Sequence, residues 1–366
     1  MKIALLTYST KPRGSVIHTL ELAEALHSLG HSVCVFALDK DGKGFDYPLS
    51  CAYQLIPAQP AAAEIDQLIQ QRIQEFVSYL GQSHQTYDCY HAQDCIGANA
   101  LAMLLKQGKI PHFVRTVHHI EDYRSLYLQQ CQDRSIREAS LCLCVSDRWK
   151  AELKQHYQID ALRVNNGVNL QRFSPHGSSF AFKGAPLYLT IGGIEPRKNS
   201  IRLLQAFQQV LAQFPKARLL IAGGATLFDY QAYREEFFTI AKALNLENAL
   251  ILPGVFSHED LPRLYRSADV FVFPSVKEGW GLVILEAIAS GLPVITSNQP
   301  PFTEFLNNQQ AVLVDPHCVD AIAQAMCSVS QSAALLCQQS QSVLSEYTWE
   351  TAAKQHIHHY QTLRYA

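Results

Sequence analysis

Along nearly the whole chain, short apolar runs alternate with amphipathic stretches. Apolar runs too continuous for one wet face, separated by segments of helical period, fit parallel strands joined by crossover helices. The strand candidates in the first half are Ile3–Tyr8, Ser32–Ala37, Tyr53–Ile56, Tyr87–His91, Phe113–Val117, Leu141–Val145 and Leu162–Asn165. In the second half they are Leu187–Ile191, Arg218–Ala222, Ala249–Leu252, Val270–Phe273, Val294–Thr296 and Ala311–Val314. A first helix is expected over Ser15–Leu29. There Val16, Leu20, Ala23, Leu26 and Leu29 keep the helical period, Ser15 can cap the start and Gly30 can end it.

At roughly 150 residues per domain, 366 residues predict two domains. The segment 173–186 is rich in Ser, Gly and Pro and lacks a period, which marks it as the linker. The expected plan is a Rossmann-like first domain over 1–172, the linker over 173–186, and a Rossmann-like second domain over 187–345. A helical segment over 346–366 is expected to cross back to the first domain. The fold class is therefore α/β, two doubly wound parallel-sheet domains facing across a cleft. Ligands in such sheets bind outside the carboxyl ends of the strands, so the residues that follow strands carry the functional question.

Hydrophobic residues make up 48% and charged residues 17%, enough for a sizeable core and against disorder. A net charge of −2, from 30 Lys+Arg and 32 Asp+Glu, gives no broad reason to bind nucleic acid or an anionic membrane. Any anion site must be local. No apolar run approaches the roughly 18 residues of a transmembrane helix, and the N-terminal apolar run is too short for a signal peptide. The ten cysteines sit mostly in apolar segments, and no C-x-x-C occurs. They read as small hydrophobes in a reducing, cytoplasmic compartment.

The strongest motif runs from Phe273 through Glu278-Gly279-Trp280-Gly281-Leu282 to Glu286. A strand ends, a Gly-punctuated loop follows and a helix opens near Leu282, so main-chain N–H groups at its positive end can hold a phosphate. The glycines permit close backbone approach and unusual dihedrals. Glu278 and Glu286 flank this nest as acceptors for sugar and ribose hydroxyls, an order that suits a nucleotide-sugar. The bland alternative is a surface loop with a Glu supporting its own helix. The second motif, Gly192-Gly193-Ile194-Glu195-Pro196-Arg197-Lys198-Asn199, follows the first strand of the second domain. Arg197 as a fork and Lys198 as a point charge can hold a diphosphate, against the alternative of a solvated basic turn. It is neither a P-loop, since Arg197 stands where Gly is needed, nor a dinucleotide fingerprint.

Weaker signals are His118, at the end of a strand of the first domain, and the loop Lys11–Ser15, a possible phosphate or sugar loop through Gly14 and Ser15. Two metal readings are set aside. Asp39-Lys40-Asp41 matches D-x-D but lies in a Gly-rich turn, and His356 with His359 lacks acidic or thiol companions and is assigned to surface or interdomain packing.

With these motifs the chain resembles the retaining glycosyltransferases of family 4, which have the two-domain GT-B fold. Glu278 and Glu286 match the family's E-x7-E motif. Ser267–Ser275, Asn166-Gly167-Val168-Asn169, Arg172–Pro175, His91–Asp94, Thr116–His118 and the Gly14 loop are similar as well. The resemblance implies that His118 sits beside the transferred sugar, Glu278 on its hydroxyls, Glu286 on the ribose and Lys198 on the diphosphate. It also implies a nucleotide diphosphate sugar as donor, an unidentified acceptor, retention of configuration, and no metal or other cofactor. Gly193–Asn199 and Ala222–Tyr230 further resemble a bacterial subgroup of unknown acceptor. Two departures stand out. The family Arg after the first Gly of the second domain is absent, so its role either falls to Arg197 or is lost, and the first-domain loop has one Gly. The stretch Ala61–Leu80 carries Glu64, Asp66 and Glu75 against Arg72, which does not support a basic membrane-docking helix. The rivals are a nucleotide-sugar epimerase of the same fold and a non-catalytic nucleotide-sugar binder. An NAD-dependent dehydrogenase lacks its glycine fingerprint.

Overall fold

A computed structural model describes residues 1–224 and 230–363. The subgroup-like stretch 222–230 therefore lies partly outside the described residues, as does the end of the C-terminal segment. The chain divides into two compact units, residues 1–167 with 348–366, and residues 168–347.

The first unit is built on strands β1 (Lys2–Thr7), β2 (Ser32–Asp39), β3 (Ala52–Pro57), β4 (Cys89–Ala92), β5 (Val114–Val117), β6 (Leu141–Cys144) and β7 (Leu162–Arg163). All pair in parallel, in the order β3-β2-β1-β4-β5-β6-β7. Its helices are α1 (Gly14–Ser28), α2 (Ile65–Gln82), α3 (Cys95–Lys106), α4 (Leu126–Arg137) and α5 (Asp147–Glu152). The central strands read as continuous apolar runs because both faces are covered: Ile3 through Leu6 are fully buried. Ala4, Leu6, Phe36 and Ala92 share one core with Phe76, Leu101 and Leu104.

The second unit carries β8 (Leu187–Ile191), β9 (Arg218–Ala222), β10 (Leu250–Gly254), β11 (Val270–Phe273), β12 (Val294–Ser297) and β13 (Val312–Val314). These are again all parallel, in the order β10-β9-β8-β11-β12-β13. Its helices are α6 (Ser200–Gln213), α7 (Gln231–Ala243), α8 (Leu261–Tyr265), α9 (Leu282–Ala289), α10 (Val319–Ser328) and α11 (Ala333–Leu344). The final helix, α12 (Trp349–Thr362), belongs to the first unit and packs on α1.

Three expectations need correction. First, α1 starts one residue early, with Arg13 at its N-cap and no side-chain cap bond, so Ser15 lies inside the helix rather than capping it. Second, the division between units falls after Gly167, and segment 173–186 is no free linker. Phe173 packs edge-on against Tyr265, Phe180 N–H donates to Ser267 Oγ at 2.7 Å, and Arg266 Nε–H donates to Ser178 O at 2.8 Å. The polar composition that suggested a linker is matched by side chains near the end of α8. Gly167 marks the true boundary by close approach, since a Cβ there would lie 2.2 Å from the main-chain nitrogen of Trp349. Third, His356 is fully buried in the first unit rather than at a surface.

In each sheet the winding reverses once, between β1 and β4 and between β8 and β11. In each unit by itself, the loops leaving that pair of strands flank the crevice where a doubly wound sheet takes a ligand.

Candidate active site

In the second unit the two strongest motifs occupy the two loops of one switch point. The loop after β8 is fastened to the loop after β11 through main chain. Val276 N–H donates to Arg197 O at 2.9 Å, Ser275 Oγ–H donates to the same carbonyl at 2.7 Å, and Asn199 Nδ2 donates to Pro274 O at 3.0 Å. Asn199 adopts left-handed backbone at φ 61°, which turns the chain into α6. Gly192, at φ 143°, leaves the space that the Lys198 stem fills, since a Cβ would sit 2.9 Å from Lys198 Cε.

This fastening puts both cations on one carboxylate. Glu278 Oε1 accepts from Lys198 Nζ at 2.7 Å, Arg197 Nη1 at 3.0 Å and Ser275 Oγ at 2.8 Å. Glu195 Oε2 takes Arg197 Nε at 2.9 Å. Burial pushes the Glu278 carboxyl up, but the opposing pull of Lys198 and Arg197 and the hydrogen bonds from Lys198 and Ser275 hold it down at about 2. Two cations and two carboxylates thus form a near-neutral, mostly buried cluster. Arg197 is 37% exposed, so it is the cation able to turn toward a ligand. The Lys198 ammonium also lies 4.4 Å from the Phe273 ring centroid.

The nest follows directly. Gly281 caps α9 at φ 109°, and a Cβ there would meet Phe302 Cε1 at 2.9 Å, so only glycine fits the turn. Trp280 was expected among the donor-binding residues. Its indole is 3% exposed, stacked on Phe305 at 4.5 Å and tilted against Tyr347 at 5.2 Å, so only its main chain can serve a ligand. Glu286, one turn into α9, accepts from Tyr265 OH at 2.6 Å. Burial raises its carboxyl, while Tyr265 and Arg172 oppose that.

On the side of α1 and α12, the switch point of the first unit is organised by a row of uncharged hydrogen-bonding groups. His118 at the end of β5 donates from Nε2 to Gln93 Oε1 at 2.9 Å, and Gln93 Nε2 donates to His91 Nε2 at 3.2 Å. His91 Nδ1 reaches Tyr360 OH at 2.6 Å, and Thr116 Oγ reaches His91 Nε2 at 2.7 Å. Read this way, the amide sets the His118 tautomer. His18 on α1 packs edge-on to His118 at 4.6 Å and pairs through Nδ1 with Asn166 Oδ1 at 2.7 Å. Burial, with repulsion from His18 and Arg115, drives His118 far below its ordinary value, so its imidazole is neutral. Gly14 and Ser15 form the first turn of α1, with open space around Gly14.

The metal readings resolve into loop structure. Asp39 caps its own turn, accepting from Gly42 N–H at 3.1 Å and Gly44 N–H at 3.2 Å, while Asp41 pairs with Lys11. Among the described residues no group of three or more His, Cys, Asp or Glu is arranged around a common ion position.

Sequence reasoning missed Glu195, Ser275, Tyr265, Gln93 and His18. For Glu195 and Ser275 a signal existed, two residues before Arg197 and three before Glu278. For Tyr265 and His18, whose partners are remote in sequence, there was none.

Known protein families match both units of the chain. Residues 12–172 match the family described as Glycosyltransferase Family 4, and residues 173–347 match Glycosyl transferases group 1. The chain belongs to glycosyltransferase family 4. An O-antigen chain mannosyltransferase B from Escherichia coli is 29% identical over 262 residues, 67% of this chain and 66% of that protein. Sucrose-phosphate synthase from Thermosynechococcus elongatus superposes with a TM-score of 0.81 at 23% identity, covering 99% of this chain and 98% of that one. HepE from Anabaena, solved with UDP and glucose, gives 0.77 at 19% identity over the whole of both chains. The fold of this family 4 enzyme is GT-B, and the enzyme is a glycosyltransferase. Among its described residues no helix is long and apolar enough to cross a membrane.

Proposed function

We propose that this glycosyltransferase moves a sugar from a nucleoside diphosphate sugar to an acceptor hydroxyl, with retained configuration and without a metal. The observation that carries the reading is the meeting of Arg197, Lys198 and Glu278 at one switch point, directly before the glycine-capped start of α9. That HepE was solved with UDP and glucose supports the donor class.

The diphosphate lies over the Gly279–Leu282 amides, and Arg197 turns to it from Glu278. The bond from anomeric carbon to diphosphate oxygen breaks and the acceptor oxygen bonds to that carbon. The departing oxygen takes the acceptor's proton. Charge growing on it is met by fixed N–H dipoles, Lys198 and Arg197, which need no reorganisation as the bond breaks. Glu278, relieved of one cation, accepts hydrogen bonds from sugar hydroxyls, and neutral His118 is assigned to the sugar by its likeness to the family. Glu286 takes the ribose diol. The compartment consistent with this chemistry and the ten free thiols is the cytoplasm.

The test is incubation of the full chain with UDP-, GDP- and ADP-sugars plus cell extract, measuring freed nucleotide and the anomeric configuration of the product. Release with retention, unchanged by EDTA, is the expected result. Interconversion of nucleotide-sugars without release would replace transfer by epimerisation, and a strict requirement for a divalent ion would overturn the metal-free scheme. Glu286→Ala is expected to weaken nucleotide binding about 10-fold or more by calorimetry, the cost of a lost hydrogen bond to a charged group. Binding at wild-type affinity would remove Glu286 from the ribose.

A further inference from the structure

Glu286 is a buried carboxylate one turn inside α9, and among the described residues no cation forms an ion pair with it. What meets it is a hydroxyl. Tyr265 ends α8, is fully buried and donates to Glu286 Oε2 at 2.6 Å. The other acceptor within its reach is Val283 O, on the same helix as Glu286, at 3.2 Å. The shorter contact, to the charged group, is the stronger hydrogen bond, so the phenol proton goes to the carboxylate.

The phenol is itself held in place. Its ring lies edge-on to Phe173 at 5.6 Å and tilted to Phe271 at 5.8 Å. Arg172 covers the other ring of that pair, 4.5 Å from the Phe173 centroid, and donates from Nη2 to His258 O. The second carboxylate oxygen is treated differently. Glu286 Oε1 has no hydrogen-bond partner among the described residues, and Glu286 is still 8% exposed. Buried polar atoms are normally satisfied, so one oxygen clamped and one left over describes an acceptor that is aimed at something.

We infer that Tyr265 is a positioning residue for nucleotide binding: its hydroxyl clamps Glu286 Oε2 so that Oε1 is presented to the ribose diol. This role rests on the reading of Glu286 as the ribose acceptor, and it names what sets that side chain. The same bond favours the charged form. Burial pushes the Glu286 carboxyl up, and the Tyr265 bond, then Arg172, oppose it. An ionised carboxylate only accepts, which matches two ribose hydroxyls that both donate.

Calorimetry on the full chain measures Kd for UDP, GDP and ADP, and for the 2′,3′-dideoxy form of whichever binds. The wild type is expected to prefer the ribose form about 10-fold or more. Tyr265→Phe keeps the ring contacts and removes one oxygen. The ribose form is expected to weaken until the preference is within about 2-fold, while the dideoxy form binds as before. In Glu286→Ala the preference is already gone, and adding Tyr265→Phe is expected to change nothing further. Equal weakening of both forms in Tyr265→Phe would make the residue only structural and overturns the role. A preference that survives Tyr265→Phe but not Glu286→Ala also overturns it, and leaves the ribose reading standing. A wild type indifferent to the ribose hydroxyls, or one that binds none of the three, removes Glu286 from the ribose, and the positioning role falls with it. Folding of each variant is read from its Tm. If Tyr265→Phe does not fold alone, it is made in Glu286→Gln, whose neutral amide tolerates burial without a charge-assisted donor. There the loss of the hydroxyl must lower the ribose preference that remains, and an unchanged preference overturns the role.

Discussion

The two switch points are built with opposite chemistry. In the second unit, Arg197, Lys198, Glu195 and Glu278 are all charged, and each is held by another. In the first, His18, His91 and His356 are buried and His118 is half-buried, all of them neutral and aligned by Gln93, Asn166, Thr116 and Tyr360. In the proposed scheme, charge growing on a leaving group is stabilised by charges already in place. In the same scheme, a ring that faces the sugar benefits from a fixed tautomer. The two units share a winding, so the difference lies wholly in the residues at the strand ends.

The comparison breaks most severely at Glu278. Glu278→Gln keeps the shape but leaves Lys198 and Arg197 with one fewer carboxylate. Transfer is expected to fall about 100- to 1000-fold, the cost typical of losing one preorganised electrostatic group. Losing one member of a mostly buried ion pair is expected to lower stability by about 3 kcal/mol. Nucleotide release and chemical denaturation of the same preparation check both. Wild-type turnover would mean that the cluster is only structural.

A smaller effect is expected on the neutral side. Gln93→Leu removes the acceptor for His118 Nε2 and the donor to His91 without adding charge. Transfer is expected to drop about 10-fold with nucleotide affinity unchanged, because the ring is disordered rather than removed. A matching loss in nucleotide affinity would place Gln93 in the wrong half of the comparison.

How much of this was legible beforehand follows from what each feature depends on. Leu187–Ile191, Arg218–Ala222 and Val270–Phe273 were read to the residue, because a strand covered on both faces writes itself as an apolar run. Glu278, Glu286 and the glycines stood out because a nest requires those residue types in consecutive order. The segment 173–186 was misread because composition reports what a stretch lacks, not that Arg266 and Ser267 bond to it. Ser15 was given a capping role that the chain left at Arg13, where no side chain caps. The pairing of Glu278 with Lys198 joins residues 80 positions apart and depends on two loops leaving adjacent strands. Sheet order decides that, and no local pattern carries it.

The smallest effect sharpens the comparison through acid. Burial draws His18 from its ordinary 6.5 to about 4, the bond to Asn166 opposing, and burial with repulsion from His18 draws His356 to about 3. A histidine whose folded value is depressed contributes stability in full above 6.5, and loses it as the pH falls through the folded value. Each such histidine costs up to about 1.4 kcal/mol per pH unit in that window. His91 and His118 act in the same direction, while Asp94, raised by burial, opposes them. Glu278, depressed to about 2 from 4.5, keeps its contribution until the pH passes below 4.5, and Glu286, raised, acts against that loss. Between pH 6.5 and 4.5 the first unit should therefore weaken while the second does not. Hydrogen exchange read by mass spectrometry at pH values across that window, corrected for intrinsic exchange rates, should show protection falling first in β1, β4 and α12. His356→Phe should blunt the fall, since it removes one proton-binding site from the buried cluster. Simultaneous loss in β8 and β11 would show that the charged switch point, not the neutral one, limits the fold in acid.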